Sequence, residues 1–404
     1  MKNKKIKILD ITGSNPMKMG GVEQFLRSIN KELIKRGFDI TTICYSEKNK
    51  STHTRIGKII ELKVPKNEAF RVLIYPFKIL QQLKNYKADI IISEGLSAYG
   101  GGLIISLFSK NRSVHIERAH GTHQGLINYT PKKSLHMMIL GRLLASIVER
   151  NAFRMADYSI AVSKVTAEEL KTYFGVDAKK IKIIYNGVDT KKFKPVSMHK
   201  KVELRKKLGI ERWKKCGIWI GGTDPYRKGL DIVIETAATL KEVEFRIVGV
   251  NINEGKDFIE KYNKKTNLDN VKFLSKLSDK EKINEYQASD FLIFPSRHEG
   301  MAVVPMEALA CGLPVIISKM TGVNEIITNW QDGIIINNFN FIKYAKAVEK
   351  LLNNKVLYKN ISRNSRKTAL NYNWESVGKE YCKFLKSLIK KEIIKCIKIP
   401  KVIK

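Results

Sequence analysis

Residues 294–314 read Phe-Pro-Ser-Arg-His-Glu-Gly-Met-Ala-Val-Val-Pro-Met-Glu-Ala-Leu-Ala-Cys-Gly-Leu-Pro, and this segment is the most informative part of the sequence. The apolar run that ends at Phe294 reads as a buried strand. Pro305 suits the first turn of a helix, and Gly312 followed by Pro314 is a helix stop. A strand, a polar loop and a helix in this order form the repeating unit of a parallel α/β sheet.

Two glutamates, Glu299 and Glu307, stand eight positions apart in this stretch. The pattern predicts that Glu299 lies in the loop and Glu307 in the opening turn of the helix. A carboxylate beyond the carboxyl end of a strand can accept hydrogen bonds from sugar hydroxyls, and one at the start of the next helix can reach a ribose. The stretch therefore indicates a site of the nucleotide-sugar kind, unless Glu307 only complements the helix dipole.

Short Val- and Ile-rich runs alternate with longer helical patterns along the whole chain. This alternation predicts an α/β fold of doubly wound, Rossmann-like parallel sheets that are covered by helices on both faces. A chain of 404 residues exceeds the size of one ordinary core, so we expect two such domains in tandem. The predicted strands are residues 6–12, 40–45, 89–93, 114–118, 158–163 and 181–185, and then 217–220, 244–248, 271–274, 291–294, 314–317 and 333–336.

The domain boundaries follow from these two series of strands. We predict an N-terminal domain over residues 1–187 and a C-terminal domain over residues 188–373. The helical pattern of residues 374–391 comes after the second sheet is complete, so we expect it to pack back on the N-terminal domain. Residues 392–404 form a basic tail. Isoleucines alternate with lysines along residues 387–400, which either lie on an anionic bilayer or fray into solvent.

The chain carries 74 basic and 39 acidic residues, a formal net charge of +35. This excess favours a polyanionic partner, such as a nucleic acid, an anionic membrane surface or a phosphorylated substrate, unless it only reflects a composition rich in Lys, Ile and Asn. Five cysteines without a CxxC pair argue against a disulfide framework or a zinc site. We therefore expect a reducing, cytoplasmic compartment.

Membrane contact is expected to be peripheral at most. The apolar run at the start is interrupted by Lys7 and ends at Asp10, which is too short for a signal peptide. The most apolar stretch, residues 100–108, is far shorter than the roughly 20 residues of a membrane span. Residues 132–154 carry cations among Leu and Ile, and this stretch is either a membrane-facing segment or an ordinary covering helix.

Two loops that follow predicted strands have the composition of anion sites. Gly20 and Gly21 open a helix, and glycines there let backbone N–H groups approach a phosphate, although tight turns also use glycine for geometry alone. Arg227 and Lys228 precede the helix that follows the first predicted strand of the second domain. Cations at that end oppose the helix dipole, so they need either a bound anion, such as a diphosphate, or free solvation.

His120 follows another predicted strand of the first domain, in the sequence Arg-Ala-His-Gly-Thr-His. It either faces the ligand side of the sheet or is a structural histidine. His123 is the only residue near His120 at a spacing typical of metal ligands, and the chain has neither a DxD pair nor a P-loop. We therefore expect no metal ion and no cofactor.

Five short motifs occur in order along the chain: Gly20-Gly21-Val22-Glu23, His120-Gly121-Thr122, Asn186-Gly187-Val188-Asp189, Arg227-Lys228-Gly229 and the pair Glu299 and Glu307. Together they resemble glycosyltransferase family 4, a group of retaining enzymes with the GT-B fold. The resemblance spans nearly the whole chain, and the glutamate pair is its most specific part. It implies two Rossmann-like domains facing across a cleft, metal-independent catalysis, and a nucleotide-sugar donor held mainly by the second domain.

The resemblance implies roles for the residues of the second domain. Arg227 and Lys228 would hold the diphosphate, Glu299 the sugar hydroxyls and Glu307 the ribose. Lys228 and Glu299 would be catalytic, with Glu299 as a positioning group and not a covalent nucleophile. Most such enzymes have an arginine five positions before the lysine, where this chain has Thr223. Arg227 would supply that charge, as in some lipopolysaccharide-core transferases.

The other implied contacts come from both domains. The backbone of Gly20 and Gly21 would border the phosphate, and His120, also catalytic, would touch the sugar. Gly300 and Met301 would lie beside the donor. Residues 15–19 and 123–131 would shape the acceptor site.

The resemblance implies transfer of a sugar from a nucleotide sugar, by family frequency a UDP-sugar, to an acceptor hydroxyl. The acceptor would be a saccharide or a lipid-linked precursor of a cell-envelope polysaccharide, at the inner face of the plasma membrane. One alternative is a nucleotide-sugar epimerase of similar fold, which needs no acceptor. Another is a basic nucleic-acid-binding protein, which the net charge suggests but which the lack of interleaved aromatic and basic residues disfavours.

Overall fold

The computed structural model divides the chain into two compact units. It describes residues 5–18, 20–64, 68–83, 87–94, 113–122, 125, 147–222, 224–263 and 268–398. The first unit comprises the described residues up to Asn186 together with the residues from Trp374 onward, and the second comprises Gly187–Asn373. The predicted boundary, after residue 187, differs from this one by one residue.

Among the described residues, the first unit has a sheet of eight strands. They are β1 (Ile6–Thr12), β2 (Phe38–Ser46), β3 (Lys50–Thr54), β4 (Gly57–Lys63), β5 (Ile90–Glu94), β6 (Val114–Ala119), β7 (Tyr158–Ala161) and β8 (Ile181–Ile183). Their order is β3-β4-β2-β1-β5-β6-β7-β8. The prediction of a purely parallel sheet is wrong at one edge, where β3 pairs antiparallel with β4. The polar side chains of β3 lie at or near the surface, so this strand has no apolar run that could reveal it.

The helices described in the first unit before the boundary are α1 (Gly21–Lys35), α2 (Glu68–Leu83), a helical segment at residues 147–155 and α3 (Lys164–Phe174). The apolar positions of α1 repeat every three or four residues, and Phe25, Leu26, Ile29 and Leu33 are all buried. The helix stops before Gly37, whose φ of +89° favours glycine.

The second unit has a sheet of six parallel strands among its described residues. They are β9 (Lys215–Ile220), β10 (Val243–Val248), β11 (Val271–Leu274), β12 (Phe291–Phe294), β13 (Val315–Ser318) and β14 (Ile334–Ile336), in the order β11-β10-β9-β12-β13-β14. The helices are α4 (Met198–Lys207), α5 (Leu230–Thr239), α6 (Ile252–Asn263), α7 (Asp279–Ala288), α8 (Val303–Ala310), α9 (Phe341–Asn353) and α10 (Lys355–Asn371). The prediction of two α/β domains built on parallel sheets is thus confirmed.

In each sheet the order of the strands reverses at one point. In the first sheet β1 lies between β2 and β5, and in the second β9 lies between β10 and β12. The connections from such neighbouring strands leave toward opposite faces, which opens a crevice at the carboxyl ends of the strands. The loop after β1, and those after β9 and β12, therefore border the usual ligand positions of α/β sheets.

The last helix, α11 (Trp374–Lys398), belongs to the first unit, where it packs against α1. It extends seven residues beyond the predicted end at residue 391. Leu388 is buried in the core of this unit, so the first residues of the stretch 387–400 are packed and helical and do not fray. Most of residues 132–154 and residues 399–404 lie outside the described part of the chain. Within that part, no helix is both long and apolar enough to cross a membrane.

Candidate active site

Three charged side chains meet at the switch point of the second sheet. Arg227 and Lys228 lie on the loop after β9, and Glu299 lies on the loop after β12. The Arg227 Nη1 atom is 2.9 Å from Glu299 Oε1, and Lys228 Nζ is 3.2 Å from the same oxygen. Residues that are 72 and 71 positions apart are thus brought into one ion cluster, because β9 and β12 are neighbours.

The Glu299 carboxylate has strong reasons to remain ionised. Burial alone would raise its pKa, but Lys228 and Arg227 outweigh that effect and hold the pKa of Glu299 below its usual range. The Ser296 hydroxyl also donates to Oε1, at 3.3 Å. All the hydrogen bonds that the structure gives this carboxylate go to Oε1, so Oε2 retains its capacity to accept from a ligand hydroxyl.

The loop after β9 is held in place by its backbone. Gly229 has a φ of +74°, and a Cβ there would lie 2.2 Å from the carbonyl oxygen of Pro295, so only glycine fits. The Trp219 indole donates to the carbonyl oxygen of Lys228 at 3.0 Å. The backbone N–H of Arg297 donates to the carbonyl oxygen of Arg227 at 2.7 Å. The close approach of Gly229 to Pro295 and the hydrogen bond from Arg297 fix this loop against the loop that carries Glu299, while Trp219 holds Lys228 from β9.

The loop after β12 is equally constrained. The backbone N–H of Glu299 donates to Met320 at 2.9 Å. A Cβ on Gly322 would lie 2.0 Å from the carbonyl oxygen of Gly300, so these two backbone segments approach too closely for any other residue. Gly300 and Met301 are both buried in this loop, directly before α8.

Glu307 lies further along α8 than the sequence predicts. It is the fifth residue of α8, so it lies in the second turn and not, as predicted, in the opening turn. Its carboxylate is fully buried, 2.9 Å from Lys282 Nζ, and it accepts a hydrogen bond of 3.0 Å from the Tyr286 hydroxyl. Burial and the neighbouring Glu307 raise the pKa of Tyr286 well above its usual range, so Tyr286 keeps its proton.

This environment limits what Glu307 can do. Because the carboxylate is buried and paired with Lys282 and Tyr286, a ribose that binds it has to replace one of these contacts. The simple helix-dipole interpretation also loses its basis, since no acidic residue lies in the first turn of α8. The sequence did not reveal Lys282 or Tyr286, because α7 reads as an ordinary polar helix and only the tertiary fold brings it to α8.

The glycine pair of the first unit lies where the sequence predicts it. Gly20 caps α1, and Gly21 is its first residue. The carboxylate of Glu23, in the first turn, approaches Gly20 so closely that a Cβ there would overlap it, and it also accepts a hydrogen bond from Ser14. A Cβ on Gly21 would meet nothing within 4 Å. A negative side chain thus already lies at this helix terminus.

His120 follows β6, and its side chain is 18% exposed. Its Nε2 atom is 2.8 Å from Glu94 Oε2, while Arg118 Nη1 donates to Glu94 Oε1 at 2.6 Å. Burial, with help from the Arg118 charge, lowers the pKa of His120 to about 3, so the ring is neutral. Glu94 and Arg118 were not predicted as site residues, although charged residues inside strands as buried as β5 and β6 are a visible signal in the sequence.

Within the described residues, no group of three or more His, Cys, Asp or Glu side chains could hold a metal ion. The prediction that no metal ion and no cofactor is needed remains a prediction.

Comparison with known proteins gives matches over both units. Residues 201–368 match the family described as Glycosyl transferases group 1, and residues 19–192 match Glycosyltransferase Family 4. An uncharacterized glycosyltransferase of Methanocaldococcus jannaschii is 25% identical over 366 residues, which cover 88% of this chain and 92% of that one.

Two further proteins extend the comparison. The N,N'-diacetylbacillosaminyl-diphospho-undecaprenol alpha-1,3-N-acetylgalactosaminyltransferase of Campylobacter jejuni is 27% identical over 350 residues, covering 84% of this chain and 89% of that one. The crystal structure of Anabaena HepE in complex with UDP-glucose has the same fold, with a TM-score of 0.75 at 20% identity over 95% of this chain and 100% of that one. The resemblance seen in the sequence is thereby confirmed, and the chain belongs to the family 4 glycosyltransferases.

Proposed function

We propose that this glycosyltransferase uses a nucleotide sugar, specifically a UDP-sugar, and transfers the sugar to an acceptor hydroxyl with retention of anomeric configuration and without a metal ion. The observation that carries the proposal is the convergence of Arg227 and Lys228 on Glu299 at the switch point of the second sheet. The HepE complex with UDP-glucose supports the choice of donor.

Arg227 and Lys228 are proposed to hold the diphosphate. When the donor reacts, the bond between the anomeric carbon and the phosphate oxygen breaks, and its electron pair leaves with the phosphate. Two cations beside that oxygen stabilise the growing charge, which is the main electrostatic task of such a reaction. Arg227 can make two parallel hydrogen bonds to a phosphate, and Lys228 acts as a point charge.

Retention requires no side-chain nucleophile if the acceptor attacks from the face that the phosphate leaves. The acceptor oxygen bonds to the anomeric carbon, and its proton passes to the departing phosphate oxygen. Glu299 is then a positioning group, consistent with a carboxylate already engaged by two cations. We assign it to the sugar hydroxyls through Oε2, and Glu307 to the ribose.

The remaining roles follow the family resemblance. The backbone of Gly20 and Gly21 borders the phosphate, His120 contacts the donor sugar, and Gly300 and Met301 lie beside the donor.

The proposed acceptor is a lipid-linked saccharide of the cell envelope, reached at the cytoplasmic face of the membrane. Support comes from the Campylobacter relative, whose name specifies an undecaprenol-diphosphate-linked acceptor. The net charge of +35 also favours an anionic surface. The nucleic-acid alternative rested on this charge alone, and no other observation favours it.

A surface cavity of about 750 Å³ on the second unit is our candidate for the membrane contact. Its lining includes the cations Lys206, Arg212, Lys214, Lys215, Lys355 and Lys359. Trp213 in the same cavity is 74% exposed and Met198 is 75% exposed. Cations next to an exposed tryptophan suit the interface of an anionic bilayer, where each engaged Lys or Arg contributes about 1 kcal/mol.

Vesicle binding tests this contact. Vesicles rich in phosphatidylglycerol should retain the wild-type protein but retain the double variant Arg212→Glu/Lys214→Glu much less. The double variant Lys241→Glu/Lys256→Glu makes the same change in charge at exposed positions of the same unit and should bind as the wild type does. Equal losses in both double variants would show that net charge alone governs binding.

The proposed activity is tested with labelled UDP-, GDP- and ADP-sugars, each with and without bacterial membrane lipids. We expect lipid-dependent transfer of one sugar, which Lys228→Ala and Glu299→Ala both depress. Lys241→Ala and Glu242→Ala, at adjacent exposed positions, are the matched controls. Isomerisation of the donor without lipid would favour the epimerase alternative, and transfer that both active-site variants leave intact would contradict the assignment.

A further inference from the structure

His120 is the most accessible member of a cluster of charged side chains at the carboxyl ends of β1, β5 and β6. The other members are Asp10, Glu94 and Arg118, which are all at least 99% buried. Such a cluster is costly to bury unless its partners are well arranged. Its contacts therefore indicate what each member does.

Glu94 joins the cluster to His120. One carboxylate oxygen accepts from Arg118 at 2.6 Å, and the other is 2.8 Å from His120 Nε2. Arg118 is itself fixed, because its guanidinium lies 4.9 Å from the ring centre of Phe25 and 5.3 Å from that of Tyr381. With both oxygens engaged and its main partner immobilised, the Glu94 carboxylate cannot rotate away from His120.

The protonation states of the cluster are mutually consistent. Burial and the Glu94 charge raise the pKa of Asp10 well above its usual range, which favours the protonated form of Asp10. Burial raises the pKa of Glu94 as well, but the Arg118 cation opposes this rise and, at 2.6 Å from Oε1, favours the ionised carboxylate. With the pKa of His120 lowered to about 3, one carboxylate then faces one guanidinium and a neutral imidazole.

A neutral imidazole carries a single N–H, and a carboxylate next to one ring nitrogen draws the proton to that nitrogen. The contact with Glu94 therefore assigns the proton of His120 to Nε2, and Nδ1 becomes the acceptor of the ring. Phe25 packs edge-on against the imidazole with ring centres 4.8 Å apart, which restricts a flip of the ring.

We propose that Glu94 is a positioning residue, which holds His120 in the Nε2–H tautomer so that Nδ1 accepts a hydrogen bond from a hydroxyl of the donor sugar. This inference rests on the proposed contact of His120 with that sugar. It adds a chemical restriction: the group recognised at this position is a hydrogen-bond donor, and not an anion or a carbonyl oxygen.

The tautomer can be measured without turnover, by ¹⁵N spectroscopy of histidine-labelled protein in which the signals absent from His120→Ala identify His120. We expect a pyrrole-type Nε2 and a pyridine-type Nδ1 in the wild type. A protonated Nδ1 in the wild type would overturn the proposal, and the tautomer itself is read from the wild-type protein.

Variants test whether Glu94 sets this state. Glu94→Gln should allow the Nδ1–H tautomer to appear. Glu117→Gln is a matched control, because it removes another fully buried carboxylate, 3.1 Å from a different histidine, His115. The control should leave the tautomer of His120 unchanged, and the same shift in both variants would indicate a general loss of structure.

Kinetics then separate positioning from a structural role. Glu94→Gln should raise KM for UDP-glucose and lower kcat. We expect kcat/KM to fall about tenfold, which corresponds to the loss of one hydrogen bond. In a His120→Ala background it should cost nothing further, whereas additive losses would mean that Glu94 does not act through His120. If the wild-type protein transfers no sugar, the proposed function fails, and the tautomer measurement still decides the relation between Glu94 and His120.

Discussion

Replacing Glu299 by glutamine should change stability and nucleotide affinity in opposite directions. The carboxylate is 16% exposed and neutralises Arg227 and Lys228, at 2.9 and 3.2 Å. Breaking a fully buried pair costs about 3–5 kcal/mol, and breaking an exposed pair costs at most about 1 kcal/mol. For side chains at this intermediate exposure we expect Glu299→Gln to lower the free energy of unfolding by about 2 kcal/mol.

The same change removes the anion that competes with a diphosphate for the two cations. One charge-assisted hydrogen bond contributes about 1.5–3 kcal/mol, so we expect Glu299→Gln to bind UDP at least about tenfold more tightly. Sugar transfer should nevertheless fall, because the side chain that accepts hydrogen bonds from the sugar hydroxyls has lost its charge. Calorimetric titration with UDP and differential scanning calorimetry measure the two effects. The exposed Glu242→Gln is the control, and weaker UDP binding by Glu299→Gln would refute the reasoning.

Three other predictions concern the scaffold and are checked by urea unfolding. Gly229→Ala places a Cβ 2.2 Å from a carbonyl oxygen, so it should cost more than Gly37→Ala, whose Cβ meets nothing within 4 Å and costs only the left-handed strain of about 1–2 kcal/mol; equal costs would contradict the close packing of the loop. Burial raises the pKa of Glu117 from 4.5 to about 7, so between these pH values the folded state holds a proton that the unfolded chain releases, and the free energy of unfolding should fall by about 3 kcal/mol as the pH rises through this range. Glu117→Gln should remove this pH dependence, and an unchanged pH dependence would assign it to other groups. Arg246→Met breaks a buried bidentate pair with Glu285, so it should cost about 3–5 kcal/mol, and a loss below 1 kcal/mol would show that the pair is not maintained in solution.

The sequence predicted the two sheets well because buried parallel strands leave continuous apolar runs. β1, β11 and β12 have the predicted bounds, and the other predicted strands differ by one or two residues at one or both ends. The hairpin of β3 and β4 was missed, because its edge strand is polar and its register depends on a turn at Gly57. A polar edge strand of this kind resembles a loop in the sequence, because only its pairing with a neighbouring strand distinguishes it.

The sequence predicted individual residues of the candidate site better than the contacts between them. Arg227 and Glu299 could be recognised from local patterns, since loops after buried strands carry ligand groups in this kind of sheet. Their direct ion pair could not, because 72 positions separate them and only the order of the strands brings them together. The same reason hid the contact of Glu94 with His120. Glu307 was predicted one turn too early, because a helix start is uncertain by one or two residues when no side chain caps it.

A crystal structure of the protein with bound UDP would show whether Arg227 and Lys228 form the nucleotide site. We predict that the diphosphate lies within hydrogen-bond distance of Lys228 Nζ and of the Arg227 guanidinium, with Glu299 Oε1 released from at least one of them. A diphosphate bound elsewhere, with both cations still paired to Glu299, would contradict the claim that this cluster is the nucleotide site.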